Sequence, residues 1–174
     1  MARSRPSSFS DPTVGPPILS GDRFDPENRR RLGGPGFRTF LNVADQWQLT
    51  EEERLRVLGF PARATYFNWV SKARHNQELL LSVDTLQRIS ALLGIYKAVR
   101  ILFGSHAEEL AWLRGPHGAP TFGGQPPMAL VTAGSQDGLM LVRRYLDAFR
   151  GGMFATPNAA DNAPALTDDD IIIV

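Results

Sequence analysis

The sequence predicts an all-α fold with a disordered tail at each end, and three observations carry that reading. Apolar residues recur three and four apart through the middle of the chain, Ser or Thr caps precede several of the helical runs, and no β-rich segment or internal repeat precedes the extreme C-terminus. Of 174 residues, 43% are apolar and 21% charged, which suits a modest core.

Residues 1–36 are rich in Pro, Gly, Ser and Arg without periodicity and read as the N-terminal tail. Helical patterning begins at Phe37, with Phe40, Leu41, Ala44 and Trp47 on one stripe. Thr50 and Glu53 form a capping box: the hydroxyl accepts from a backbone N–H while the carboxylate reaches back. Leu55 and Leu58 give this second helix a short apolar stripe, and Gly59 ends it. Phe60-Pro61 leads at once into a third helix, with Pro61 placed to suit its first turn. Tyr66, Trp69, Val70 and Ala73 lie on one side of that helix, and Arg63, Asn68 and Lys72 towards the other. Two short helices around a tight turn, the second cationic on one face, make a helix-turn-helix pattern.

The longest helical pattern follows, SVDTLQRISALLGIYKAVRILFG, with Leu86, Ile89, Leu93, Tyr96 and Val99 along its stripe. That stripe is more apolar than one short helix needs. Part of it is expected to meet its mate across a two-fold axis, which would pair the recognition helices for a palindromic operator. Ser105 and Glu108 form another capping box, opening a helix with Leu110, Trp112 and Leu113. A Gly/Pro-rich elbow runs from Gly115 to Pro127. Ser135 caps a final helix with Leu139, Val142, Tyr145, Leu146 and Phe149 on its stripe, and Gly151-Gly152 stops it.

The net charge of +1 conceals an asymmetry: residues 1–36 carry six Arg against four acids, and residues 151–174 carry four Asp and no Lys or Arg. Residues 60–77 hold Arg63, Lys72 and Arg74 and no acid, which suits either an anionic partner or a solvated helix face. With no cysteine, no apolar leader at the N-terminus and no run of about 18 apolar residues, the expected location is the cytoplasm, away from membranes.

Catalytic constellations are missing. His75, His106 and His117 stand 31 and 11 residues apart, with no i, i+4 pair to hold a metal. The run Asp168-Asp169-Asp170 lies in the C-terminal tail and reads as solvated. The elbow's TFGGQPP resembles a phosphate loop only superficially, lacking a Lys and placing two prolines where phosphate-binding N–H groups belong. Neither an enzyme, a cofactor nor a metal is expected.

Three stretches together are specific: LTEEERLRVLGFPARATYFNWV, LQRISALLGIYKAVRILFG, and AWLRGPHGAPTFGGQPPMALVTAGSQDGLMLVRRYLDAFRGG. They resemble the Xre/MbcA/ParS antitoxins, over residues 37–152, about two thirds of the chain. The resemblance implies an Xre-like helix-turn-helix DNA-binding and dimerisation region over 37–104, a small helical toxin-binding domain over 105–152, and a C-terminal tail over 153–174. It also implies a RES-domain toxin as partner, one that consumes NAD or ADP-ribosylates a target, with the antitoxin occluding NAD access. Such antitoxins form homodimers and bind their own operator. Two features depart from the family pattern. Pro61 lies in the turn where a Ser-type cap is common, and 22 residues follow Gly152.

On this reading Arg63, Asn68, Lys72 and Arg74 face DNA, with Arg63 reading bases and Arg74 meeting phosphate. Trp112, Arg114, Pro116, Phe122, Gly123, Gly124 and Gln125 form the toxin-facing elbow, adjoined by Arg143, Arg144 and Arg150. Trp112 and Phe122 alternatively close the small C-terminal core. The terminal Ile171, Ile172, Ile173 and Val174 either add to a partner's sheet edge or form an unstructured tail. A stand-alone helix-turn-helix regulator without a toxin partner is the alternative for the chain as a whole.

Overall fold

The computed structural model describes residues 25–151, so the outermost tail segments and residues 171–174 lie outside the described residues. Seven helices and no strand occupy the described residues: α1 Pro26–Gln46, α2 Glu51–Val57, α3 Arg63–Arg74, α4 Val83–Leu102, α5 His106–Arg114, α6 Pro127–Val131 and α7 Gln136–Arg150. The all-α reading holds, and the capping boxes at Thr50 and Ser105 and the Ser135 cap form as read.

The first helix corrects the sequence reading. It starts at Pro26, so residues 26–36 are helical where a tail was expected. Pro26 suits the first turn because its missing N–H has no helical partner there. Gly33-Gly34-Pro35 reads as a breaker in isolation, yet Gly33 and Gly34 are buried. A Cβ at Gly33 would fall 1.9 Å from the Leu79 carbonyl oxygen, so the missing side chain is what lets α1 lie against the segment before α4. Pro35 forfeits a helical hydrogen bond, and tertiary contact overrides that local cost.

Beyond Pro35 the helix buries Phe37, Phe40, Val43 and Ala44, and Trp47 caps its end inside the core. Phe37 meets Trp69 of α3 edge to face at 5.8 Å, which fixes α3 on α1. The α2–α3 corner turns through Gly59 and Phe60, both at positive φ. Pro61 precedes the Ala62 cap of α3 rather than entering the first turn. The Phe60 ring rests over Gly134, and the Arg88 guanidinium bridges Asp84 and the Gly134 carbonyl at 2.8 and 2.9 Å. The corner is thereby braced on α4 and the loop before α7.

Helix α4 is the centre of the molecule, packed between α1 and α7. Its buried residues Ile89, Ala91, Leu92, Ile95, Ala98 and Val99 occupy more than one face, as expected of a helix with two partners. Helix α5 stitches onto the end of α1. His106 Nε2 lies 3.1 Å from the Gln46 carbonyl, and Arg114 donates to the Trp47 carbonyl at 2.6 Å. These bonds satisfy carbonyls that a helix C-terminus leaves without partners. The nearly inaccessible Glu109 carboxylate is held by His106 at 3.3 Å and Arg100 at 3.5 Å.

Candidate functional site

Two surfaces result. The first is the outer face of α3. At about 100° of rotation per residue, Ala64, Asn68 and Ser71 stand outermost, and all three are exposed. Arg63, Phe67 and Arg74 flank this tip on the side of α1 and α2, while Thr65 and Lys72 flank the other side. Asn68, Arg63 and Arg74 are solvent-accessible as expected, and Lys72 is half-buried. The Arg63 guanidinium pairs with Glu51 at 2.5 Å, but the side chain is 73% exposed. Such surface pairs contribute about 0–1 kcal/mol, so Arg63 can exchange Glu51 for another anion at little cost.

Sequence reasoning missed Ala64, Phe67 and Ser71. Small side chains at the tip let the helix axis approach a groove floor, and Phe67 is an aromatic left 51% exposed on an otherwise polar face. That aromatic between two polar positions was the available signal. Behind this flank, Arg54 bonds Asp45 at 2.6 Å and the Leu49 carbonyl at 2.9 Å. Burial disfavours the Arg54 charge, but hydrogen bonds with Asp45 and Tyr66 outweigh it and hold the pKa above the ordinary guanidinium value.

The second surface is the elbow with α7, and here the partner-facing placement of Phe122 needs correcting. Phe122 is 4% exposed and belongs to the core. Its ring lies 4.8 Å from Tyr145, 4.9 Å from His117 and 6.0 Å from Trp112. It therefore shapes the elbow from beneath and offers no anchor to a partner. Trp112 is half-buried in the same aromatic cluster, stacked on Tyr145 at 6.3 Å. Arg114, read as toxin-facing, donates to the Trp47 carbonyl while its side chain remains exposed.

What the elbow presents outward is Pro116, Gly123, Gly124 and Gln125, all exposed. Gly123 and Gly124 have φ of 55° and 82° with open space around them, so glycine serves the turn, and a side chain would meet strain before any neighbour. The Gly124 N–H donates to the His117 carbonyl at 3.2 Å, closing the loop over the aromatic cluster. On α7, Arg144 and Arg150 are exposed and, among the described residues, bond within their own helix, to the Met140 carbonyl and Asp147. Arg143 is half-buried across Gly94. Leu141 and Phe149 leave 38% and 47% of their surface exposed on the same helix.

The expected dimer stripe divides. Ile89 and Val99 are 2% and 0% exposed, packed inside the chain's own core, and are unavailable to a second copy. Tyr96 is half-buried and donates to the Gln46 side chain at 3.1 Å. Leu86 and Leu93 line a groove of about 500 Å³ with Leu32, Pro35 and Met140, between α1, α4 and α7.

Among the described residues no three His, Asp or Glu side chains gather as a metal site, and no helix is long and apolar enough to cross a membrane. The geometry defines a helix-turn-helix protein with an appended helical binding domain. Residues 26–94 match the family model of the antitoxin Xre-like helix-turn-helix domain. Residues 98–152 match that of the antitoxin Xre/MbcA/ParS C-terminal toxin-binding domain. The two matches meet within α4. The uncharacterized protein y4oB of Sinorhizobium fredii is 37% identical over 113 residues, spanning 65% of this chain and 82% of that relative. The chain belongs to the Xre/MbcA/ParS antitoxin family.

Proposed function

We propose that this chain is the antitoxin of a type II toxin–antitoxin pair whose toxin carries a RES domain. It neutralises the toxin by covering its NAD site, and represses its own operon as a cytoplasmic homodimer bound to operator DNA. The observation that carries the reading is one α4-centred body that presents an exposed, partly cationic α3 face and, separately, an exposed Gly-Gly elbow beside an arginine-bearing helix. Inhibition of this kind needs no chemistry from the antitoxin. A preformed turn, tied by the Gly124 and Gln125 backbone bonds, loses little entropy on docking. Arg144 and Arg150 supply forked hydrogen bonds to acidic or carbonyl groups of the toxin.

On the DNA side, Arg63, Asn68 and Lys72 meet the operator with Ala64 and Ser71 at the tip of α3. The groove at Leu86 and Leu93 is the face on which two copies join. Co-expression with a candidate RES-domain toxin tests the reading. Growth arrest by the toxin alone and rescue by this chain are expected, and arrest that persists with soluble antitoxin present overturns it. A regulator without a toxin partner binds its operator and rescues nothing.

A further inference from the structure

A cleft of about 640 Å³ lies between α1 and α3, on the flank of α3 that carries Phe67 and Arg74. Its charges do not cancel. Asp45 is taken by Arg54, and Glu51 by Arg63. That leaves Arg38 on the α1 wall and Arg74 on the α3 wall, neither with an ion pair or side-chain hydrogen bond among the described residues. Asn42 and Asn76 line the same cleft, and their side-chain amides have no hydrogen bond among the described residues. The Arg38 guanidinium is placed by the backbone: its Nη1 would stand 3.4 Å from a Cβ at Gly34, so the arginine lies along the helix at a position without a side chain. Half-buried, it gives up part of its hydration without gaining a protein partner.

Two guanidiniums without ion pairs, one on the α1 wall and one on the α3 wall, share this lining with two neutral side-chain amides, a donor set suited to a tetrahedral oxyanion. We propose that this cleft seats a phosphate group, and that its source is the DNA strand running beside the α3 flank. The proposal rests on the operator-binding reading and extends it, because Arg38 lies on a helix outside the α2–α3 corner and contacts no base-reading position. Arg38 and Arg74 thus set affinity and salt dependence, while Asn68 at the tip sets sequence preference.

The test uses the full chain and a duplex from the promoter of its own operon, with anisotropy titrations over a range of salt. Each lost phosphate contact lowers the slope of log K against log salt by about 0.9. Arg38→Gln is expected to lower it by that amount and to weaken operator and unrelated duplex alike, by about tenfold at low salt. Asn68→Ala is expected to keep the slope and change the ratio between the two duplexes. A second arm follows the arginine Nε–H signals by NMR during titration with inorganic phosphate and with a short single-stranded oligonucleotide.

Saturable shifts at Arg38 and Arg74 with phosphate, in a protein that binds no duplex, would keep the seat and assign it to a free phosphate, while the operator reading falls. Unchanged slope and affinity in Arg38→Gln and Arg74→Gln, in a protein that does bind its operator, would overturn the seat and leave that reading standing. Neither duplex binding nor phosphate-dependent shifts would overturn both.

Discussion

Replacing Gly33 by alanine tests the most consequential difference between the tail expected over residues 26–36 and the helix observed there. The added Cβ would meet the Leu79 oxygen at 1.9 Å and the Leu79 carbonyl carbon at 3.0 Å, where ordinary contact begins at 3.4 Å. The 1.5 Å shortfall against the oxygen is against backbone, which no rotamer change relieves. Overpacking of this kind costs about 1–3 kcal/mol and occasionally more. The helix-propensity gain of alanine over glycine returns roughly 0.5–1 kcal/mol. Because the clash is with backbone, the upper end of that cost applies; a net loss of about 2 kcal/mol is expected, and at roughly 4 °C per kcal/mol for a domain of this size Tm falls by about 8 °C.

Gly36, three residues along the same helix, is the internal control. A Cβ there has only Ile89 Cγ2 within 4 Å, at 3.9 Å, so Gly36→Ala is expected to raise Tm by about 2–4 °C through propensity alone. Thermal unfolding of the two variants therefore gives opposite signs. A Gly33→Ala protein as stable as the parent would refute the packing of α1 against the Leu79 segment.

Phe122→Ala empties a buried aromatic site and is expected to cost about 3–5 kcal/mol in urea unfolding; a loss under 1 kcal/mol would return Phe122 to the surface. Arg114→Ala removes a charge-assisted bond to the Trp47 carbonyl and is expected to cost about 1.5–3 kcal/mol without altering operator affinity. If stability is unchanged while toxin binding is lost, Arg114 faces the toxin after all. Gln125→Trp adds bulk at an exposed elbow position outside the positive-φ pair, so the fold is expected to survive while growth rescue fails. Rescue by a folded Gln125→Trp protein would move the inhibitory surface away from the elbow.

The elements legible in the sequence were those whose instructions are local. Thr50, Ser105 and Ser135 each accept from a backbone N–H three residues on, so a short window contains the whole start signal. The beginning of α1 was illegible for the opposite reason: what calls for glycine at position 33 is the Leu79 carbonyl packed against it, absent from any local window. Arg114 repeats the lesson, since its acceptor lies 67 residues away. On α4, one apolar stripe served both the chain's own core and a groove. Periodicity could not separate Ile89 and Val99, which are inside, from Leu86 and Leu93, which retain open surface. Phe122 was visible as a hydrophobe beside two glycines, but its burial depends on Trp112 and Tyr145 arriving from two other helices.

Titrating a purified RES-domain toxin with this chain, while following NAD consumption, tests whether the antitoxin covers the NAD site. The rate is expected to fall linearly to zero at a fixed molar ratio, with the Gln125→Trp variant failing to inhibit at that ratio. A toxin that forms a stable complex with this chain and still consumes NAD at its full rate would contradict it.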